Sequence, residues 1–306
     1  MGNGRWSSRD WQSYAARNIR GRSRAEVFRT RHLEDAVNPA KIKVRESRDS
    51  ADNPQSTPII LASDVTGSMG MVAHKLMQDG LNTLATEIYD RKPVSDPHIM
   101  GMAIGDAYYD RAPLQVTQFE ADIRLAEQVR NLWLEGGGGG NRGESYMAAH
   151  LFAALKVSAD AIEKRGRKGY LFTIGDEPVL DGMTREQIER VMGVQVERDL
   201  SAHDILTMAE RNWEVFHIVL SNEGYARMRL DEVLGTWKPL LPERTILLSD
   251  VDRLAETVVS AIQVNEGAGV EDVTASWSGS TALVVANALQ GMSGRPAPRG
   301  LRRLLR

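Results

Sequence analysis

Asp64, Thr66 and Ser68 alternate with Val65 and Gly67 just after the apolar run Ile59-Ile60-Leu61-Ala62 and Ser63. One carboxylate and two hydroxyls at that spacing present three hard oxygens from one tight turn. Such oxygens suit Mg²⁺, Mn²⁺ or Ca²⁺ rather than zinc. Gly67 allows the backbone to bend there. One charge does not balance a divalent ion, so a metal would need further oxygens from elsewhere in the chain. A Ser or Thr ahead of a helix is also an ordinary N-cap, so the triplet alone leaves capping and metal binding open.

Two further stretches carry oxygens in similar settings. A glycine run, Gly136 to Gly140, leads through Asn141-Arg142-Gly143 to Glu144 and Ser145, ahead of the helical pattern that contains Ala148-Ala149. Read plainly it is a flexible linker, but it falls inside an alternation of strands and helices where no linker is needed. Leu171-Phe172-Thr173-Ile174-Gly175-Asp176-Glu177-Pro178 is an apolar strand ending in an acidic turn. Gly105-Asp106-Ala107-Tyr108-Tyr109-Asp110 ends another strand, which places Asp106 and Asp110 as rim candidates or as members of a loop salt bridge.

The elements that must position these residues follow from periodicity. Strands are predicted at Pro58–Ser63, Ile99–Ile104, Leu114–Phe119 (short, at an edge), Gly169–Ile174, Val215–Leu220 and Thr245–Leu248. Helices are predicted at Met71–Tyr89, Ala121–Leu132, Glu144–Lys164, Thr184–Met192, His203–Arg211, Gly224–Leu234 and Val251–Val264. Strands alternating with helices imply a Rossmann-like, doubly wound α/β fold whose mostly parallel sheet is covered on both faces. In such sheets ligands sit at the carboxyl ends of the strands, where Asp64 and Asp176 fall.

Asp64-x-Thr66-x-Ser68 after an apolar strand resembles the first motif of the von Willebrand factor A family, over roughly residues 58–265. The metal-ion-dependent adhesion site of that family uses D-x-S/T-x-S, a residue from a second loop (usually Thr), and an Asp after a later strand. The resemblance implies Asp176 in the last position. In the second loop, the register set by Ala148-Ala149 puts Ser145 in the Thr place. A subset of similar proteins has a glycine run ending in Pro-Glu, which implies Glu144 instead. Glu144 is preferred, because a second carboxylate better balances a divalent charge. The implied cofactor is Mg²⁺, or Mn²⁺ or Ca²⁺, and the implied partner is a protein that lends a carboxylate to the metal. Intracellular bacterial and phage proteins of this type often act beside an AAA+ ATPase of the MoxR type, which is a further implied partner in assembly or remodelling.

Composition bounds the alternatives. The 306 residues contain no cysteine, so disulfides and thiolate metal sites are excluded. No apolar run is long enough to span a membrane. The N-terminus has no apolar signal core. Together these set the expectation of a cytoplasmic protein. Residues 1–57 form an expected basic arm and linker of net charge +5, and residues 266–306 an extension ending in a tail with five arginines. The chain's net charge is −3, so the body between is acidic, which disfavours general nucleic-acid binding. Trp6, Trp11 and Tyr14 are expected to dock the arm onto the body or onto a partner. After the body, Asp272–Trp277 is predicted as an extra strand and Thr281–Leu289 as a helix.

No G-x-x-x-x-G-K-[ST] nucleotide loop, no H-x-x-x-H pair and no G-x-S-x-G elbow occurs. Phosphoaspartyl phosphatases carry a second Asp where Thr66 stands. The expected function is metal-dependent protein–protein binding without catalysis. The alternatives are a metal-dependent hydrolase or phosphate-binding enzyme, and a nucleic-acid-associated protein using its basic ends.

Overall fold

A computed structural model describes residues 4–136 and 143–292. Most of the glycine run and the arginine tail lie outside the described residues. The arm begins with α1 (Ser8–Asn18), whose first turn is capped by the Ser7 hydroxyl at 3.3 Å from the Asp10 amide. It continues with the short α2 (Arg24–Val27) and β1 (Arg45–Ser47). The body opens with β2 (Thr57–Asp64) and a 3₁₀ turn at Gly67–Met69, followed by α3 (Gly70–Lys75), a π-helical turn at Leu76–Gly80 and α4 (Leu81–Arg91). Next come β3 (Pro97–Ile104), β4 (Leu114–Val116), α5 (Arg124–Val129), α6 (Tyr146–Lys156), β5 (Val157–Ala159) and α7 (Asp160–Glu163). Then follow β6 (Gly169–Gly175), β7 (Gly182–Met183), α8 (Arg185–Met192), β8 (Leu200–Ser201), α9 (Ala202–Glu210) and β9 (Trp213–Leu220). The chain continues through α10 (Ala226–Trp237), β10 (Thr245–Leu248), α11 (Leu254–Asn265), α12 (Val270–Ala275) and α13 (Gly279–Ala288).

The central sheet has six strands in the order β10-β9-β6-β2-β3-β4. All its pairings are parallel except β3–β4, which puts an antiparallel strand at one edge as expected. This is a Rossmann-like α/β sheet with an apolar cluster on each face. β2, β6 and β9 are buried on both sides, which explains why they read as continuous apolar runs rather than alternating ones. The strand order reverses direction at β2, whose neighbours are β3 and β6. A doubly wound sheet opens its ligand crevice at such a switch point.

Three elements differ from the sequence reading. The helix expected over Glu144–Lys164 stops at Lys156, where the chain turns into β5 and pairs in parallel with β1 of the arm. Lys156 Nζ donates to the Pro39 and Ile42 carbonyls at 2.8 and 2.6 Å, which fixes the exit. The pairing is non-local, so periodicity does not reveal it. The strand expected at Asp272–Trp277 is α12. Glu271 and Asp272 sit in its first turn, where the helix dipole favours acids. Helix 71–89 contains the π-helical turn.

The arm docks on the body. Trp11 and Tyr14 of α1, with Val27 and Phe28, are buried in the same apolar cluster as Val72 and Leu84. Val285, Ala288 and Leu289 bring the C-terminal extension into that cluster too. Among the described residues, no helix is long and apolar enough to cross a membrane.

Candidate metal centre

β2 delivers Asp64 to the carboxyl edge of the sheet, fully buried, with Ser63 in register with Ile174 of β6. Asp64 Oδ1 accepts two hydrogen bonds from Thr66, one from its amide and one from its hydroxyl, both at 2.7 Å. Gly67 then turns at φ +42°, a left-handed conformation that glycine adopts without strain. Ser68 lies within the following 3₁₀ turn, and its side chain is outside the described residues.

Glu144 enters from the second loop. Its amide donates to the Pro178 carbonyl at 3.1 Å, and the residue bridges to Val179 beside the end of β6. Gly143 makes that approach possible, since a methyl group there would stand 2.7 Å from the Pro178 carbonyl oxygen. Glu144 Oε1 lies 3.1 Å from Thr66 Oγ1. The Ser145 hydroxyl instead accepts from the Ala107 amide at 2.9 Å, tying the second loop to the Asp106 loop. Of the two second-loop candidates, Glu144 is the one brought to the D-x-T-x-S turn. Asp64 Oδ2 and Glu144 Oε2 are both buried without a hydrogen-bond partner.

Asp176 follows β6, and its carboxylate accepts from the Tyr225 amide ahead of α10. Asp106 Oδ1 accepts from the Tyr108 amide at 2.6 Å, and Asp110 Oδ2 from the Asp106 amide at 2.8 Å. These two rim candidates therefore shape their own turn, although the Asp106 charge still bears on Glu144 and Glu177. The sequence reading quoted Glu177 only as part of a turn. Its place directly after Asp176 was the signal available for it. Nothing in the sequence pointed to Tyr146, whose hydroxyl accepts from the Glu177 amide at 3.4 Å beneath the site.

Electrostatics make this a costly arrangement. Burial first, and then the charges of Asp176 and Glu177, raise the Asp64 carboxyl well above its ordinary range, against the pull of the Thr66 hydrogen bonds. Burial, then Asp64, Glu177 and Asp106, push Glu144 up to about 10. Glu177 is raised to about 7 by burial, Asp176 and Asp106. Asp176 is raised by burial, against the Tyr225 amide. No Lys or Arg figures among the leading influences on these four groups. Among the described residues no three acidic or imidazole side chains are gathered closely enough to cage an ion by themselves. Hydroxyls or water would have to complete any coordination shell.

No family model matches the sequence, and no curated protein matches it. Among solved structures, the chain is similar to the pilus adhesin SpaC from Lactobacillus rhamnosus GG in its open conformation. The identity is 11% and the TM-score 0.45, over 72% of this chain and 31% of that one. A second structure of the same adhesin aligns at 12% identity and a TM-score of 0.45, over 72% and 32%. The chain spans about a third of the length of that adhesin.

Proposed function

We propose that this chain is a metal-dependent protein-binding module of the von Willebrand factor A type. Asp64, Thr66 and Ser68 would hold a hard divalent cation, with Glu144 from the second loop and Asp176 after β6. The observation that carries this reading is the pair of orphaned carboxylate oxygens, Asp64 Oδ2 and Glu144 Oε2, buried together at the switch point of the sheet. A buried polar atom without a partner costs about 1–3 kcal/mol, and more if charged. Proteins retain such groups where a ligand satisfies them. Two carboxylates and a hydroxyl are a hard-oxygen donor set, which fits Mg²⁺, Mn²⁺ or Ca²⁺. The absence of cysteine agrees with that choice.

When bound, the ion supplies an open coordination position that takes a carboxylate from a protein partner. The residues of the chain do the rest. Thr66 holds Asp64 Oδ1 through two hydrogen bonds and leaves Oδ2 free for the site. The Tyr225 amide fixes Asp176, and the Ala107 amide fixes Ser145 and with it the second loop. The partner, within this proposal, is a cytoplasmic protein, with an AAA+ ATPase of the MoxR type as the specific candidate.

Calorimetric titration with MgCl₂ and CaCl₂ tests the reading. Wild type is expected to bind one ion and Asp64→Ala none, with the far-ultraviolet spectrum unchanged. Equal binding by both proteins would overturn it.

A further inference from the structure

We infer that the metal-site face is completed by an arginine collar from the N-terminal arm, and that the pair recognises an acidic peptide segment of the protein partner. The inference rests on the metal reading above and specifies its ligand.

Residues 17–31 carry six arginines, at 17, 20, 22, 24, 29 and 31, and a single acid, Glu26. Burial of Val27 and Phe28 clamps this stretch to the body, while Arg17, Arg20, Arg24, Arg29 and Arg31 are exposed. It lies against α3, the helix that leaves the D-x-T-x-S turn. A methyl group at Gly70 would stand 2.8 Å from the Arg24 guanidinium, and Gly70 is two residues beyond Ser68. One turn further on, His74 meets the Arg22 backbone.

Among the described residues none of the six forms an ion pair. Arg17, Arg22, Arg29 and Arg31 instead donate to main-chain carbonyls of the arm, those of Ser13, Arg17, Glu26 and Phe28, at 2.7 to 3.0 Å. Glu26 is occupied by the Ser23 amide and hydroxyl at 2.8 and 2.7 Å. A guanidinium has five donors, so each arginine retains free N–H groups. None of the six arginines forms an ion pair with Asp64, Glu144, Asp176 or Glu177. Guanidinium groups preset in this way are suited to bidentate capture of carboxylates.

The loop that carries Asp106, tied to the second loop through the Ser145 hydroxyl, offers a different contact. Tyr108 and Tyr109, on the loop that carries Asp106, are 55% and 63% exposed, with ring centroids 6.2 Å apart. Exposed tyrosines beside charged groups are typical anchors of protein interfaces. A peptide can present one carboxylate to the metal, others to the collar and apolar atoms to the tyrosines. A nucleic-acid strand carries a charge at every phosphate and would set several of them against the carboxylates of the candidate site.

The test uses the full chain and a fluorescein-labelled peptide of repeating Glu-Ser-Gly units, with Gln-Ser-Gly as control, at low ionic strength. Anisotropy is read with MgCl₂ or with EDTA for wild type, Asp64→Ala and the triple variant Arg20→Glu/Arg24→Glu/Arg29→Glu. The three arginines are exposed, and the variant's melting temperature in MgCl₂ checks that it folds and keeps the ion. Wild type should bind the acidic peptide only with MgCl₂. The triple variant should bind it about tenfold more weakly while keeping its metal-dependent melting shift. The Gln peptide should not bind. Unweakened binding by the triple variant overturns the collar and leaves the metal reading standing. Arginine-dependent binding that ignores MgCl₂ and Asp64→Ala overturns the metal reading instead. No binding of the acidic peptide by wild type, or its displacement by a single-stranded oligonucleotide at equal charge, overturns the peptide assignment.

Discussion

The Thr66 hydroxyl stands 3.1 Å from Glu144 Oε1, joining two loops that lie 78 residues apart in the chain. The same hydroxyl is 2.7 Å from Asp64 Oδ1. Its proton is directed at both carboxylate oxygens. Burial pushes the Glu144 carboxyl up to about 10, so in the metal-free protein it is neutral at pH 7. A Gln side chain is neutral too, and its Oε1 can accept from Thr66 in the same place. Glu144→Gln is therefore expected to leave metal-free stability within about 1 kcal/mol of wild type. It should also abolish most of the stabilisation by MgCl₂. For a wild-type site at a hundredfold excess of ion over its dissociation constant, that stabilisation is about 2.7 kcal/mol. Denaturant melts with and without MgCl₂ check both parts. A variant that keeps the full metal response would remove Glu144 from the ligand set.

Gly175 separates β6 from Asp176, and a methyl group at its Cα would stand 2.0 Å from the Tyr146 hydroxyl. Tyr146 is fully buried and makes edge contacts with His217 and Trp237 at centroid distances of 5.0 and 5.3 Å. It has no room to retreat. Gly175→Ala should therefore cost about 1–3 kcal/mol, as overpacking does in a dense core. The displaced ring should disturb the Glu177 amide above it and weaken metal binding as well. A denaturant midpoint and a metal titration of the same variant test this, and an unchanged midpoint would contradict the packing argument.

The sheet was legible because each of its long strands is an apolar run bounded by polar turns, and each helix between them has a clear apolar face. Asp64 and Asp176 were legible for the same reason, since a strand end locates them. The rest depended on tertiary contacts. Whether Glu144 or Ser145 turned toward Thr66 was decided by the Ala107 amide, which took the Ser145 hydroxyl. The β1–β5 pair joins residues more than a hundred positions apart and leaves no periodic mark. Tyr146 carries no signal of its own within the helical pattern, because its role under Glu177 depends on a contact 31 residues away.

His150 and His217 predict an acid-sensitive core. His217 stacks on Trp237 at 3.5 Å between centroids and 9° between planes, and its Nδ1 meets Thr173 Oγ1 at 2.9 Å. The Nε2 atoms of both histidines are buried without partners. Burial lowers His150 to about 3, and burial together with His150 lowers His217 well below its ordinary value. In the unfolded chain each would titrate near about 6.5. Below that pH the unfolded state takes up protons that the folded state refuses, so stability is intact above about 6.5 and falls as the pH drops. Each histidine contributes a slope of about 1.4 kcal/mol per pH unit. The raised carboxylates of the metal centre act in the opposite sense over part of this range, so the variant-minus-wild-type difference is the readout. His150→Met should flatten the acid limb by about one proton between pH 6 and 4. Parallel stability curves for the two proteins would show that His150 is protonated in the fold.

Asp160 is the residue that locks the arm to the body. Its Oδ1 accepts from Arg48 at 2.9 Å, and its Oδ2 from the Asp49 amide at 2.9 Å and from Lys164 at 2.7 Å. Burial pushes its carboxyl up, but Lys164, the Asp49 amide and Arg48 more than offset this and hold it well below the usual range. Its stabilisation is therefore complete at neutral pH, above the unfolded value of about 3.9, and is lost as the pH falls below that. Its side chain is almost fully buried, whereas Arg48 is a third exposed. Asp160→Asn leaves the guanidinium and the ammonium without their shared anion and should cost about 2–3 kcal/mol at pH 7. The loss should be local before it is global, because Arg48 and Asp49 lie just after β1 and the β1–β5 pair has only three residues on each side. Limited proteolysis at neutral pH should cut the variant within residues 44–56 under conditions that spare wild type, with the sheet still folded by circular dichroism. If cleavage there is no faster in the variant, the segment is held by its other contacts, among them Lys156 with the Pro39 and Ile42 carbonyls and Arg165 with Asp49.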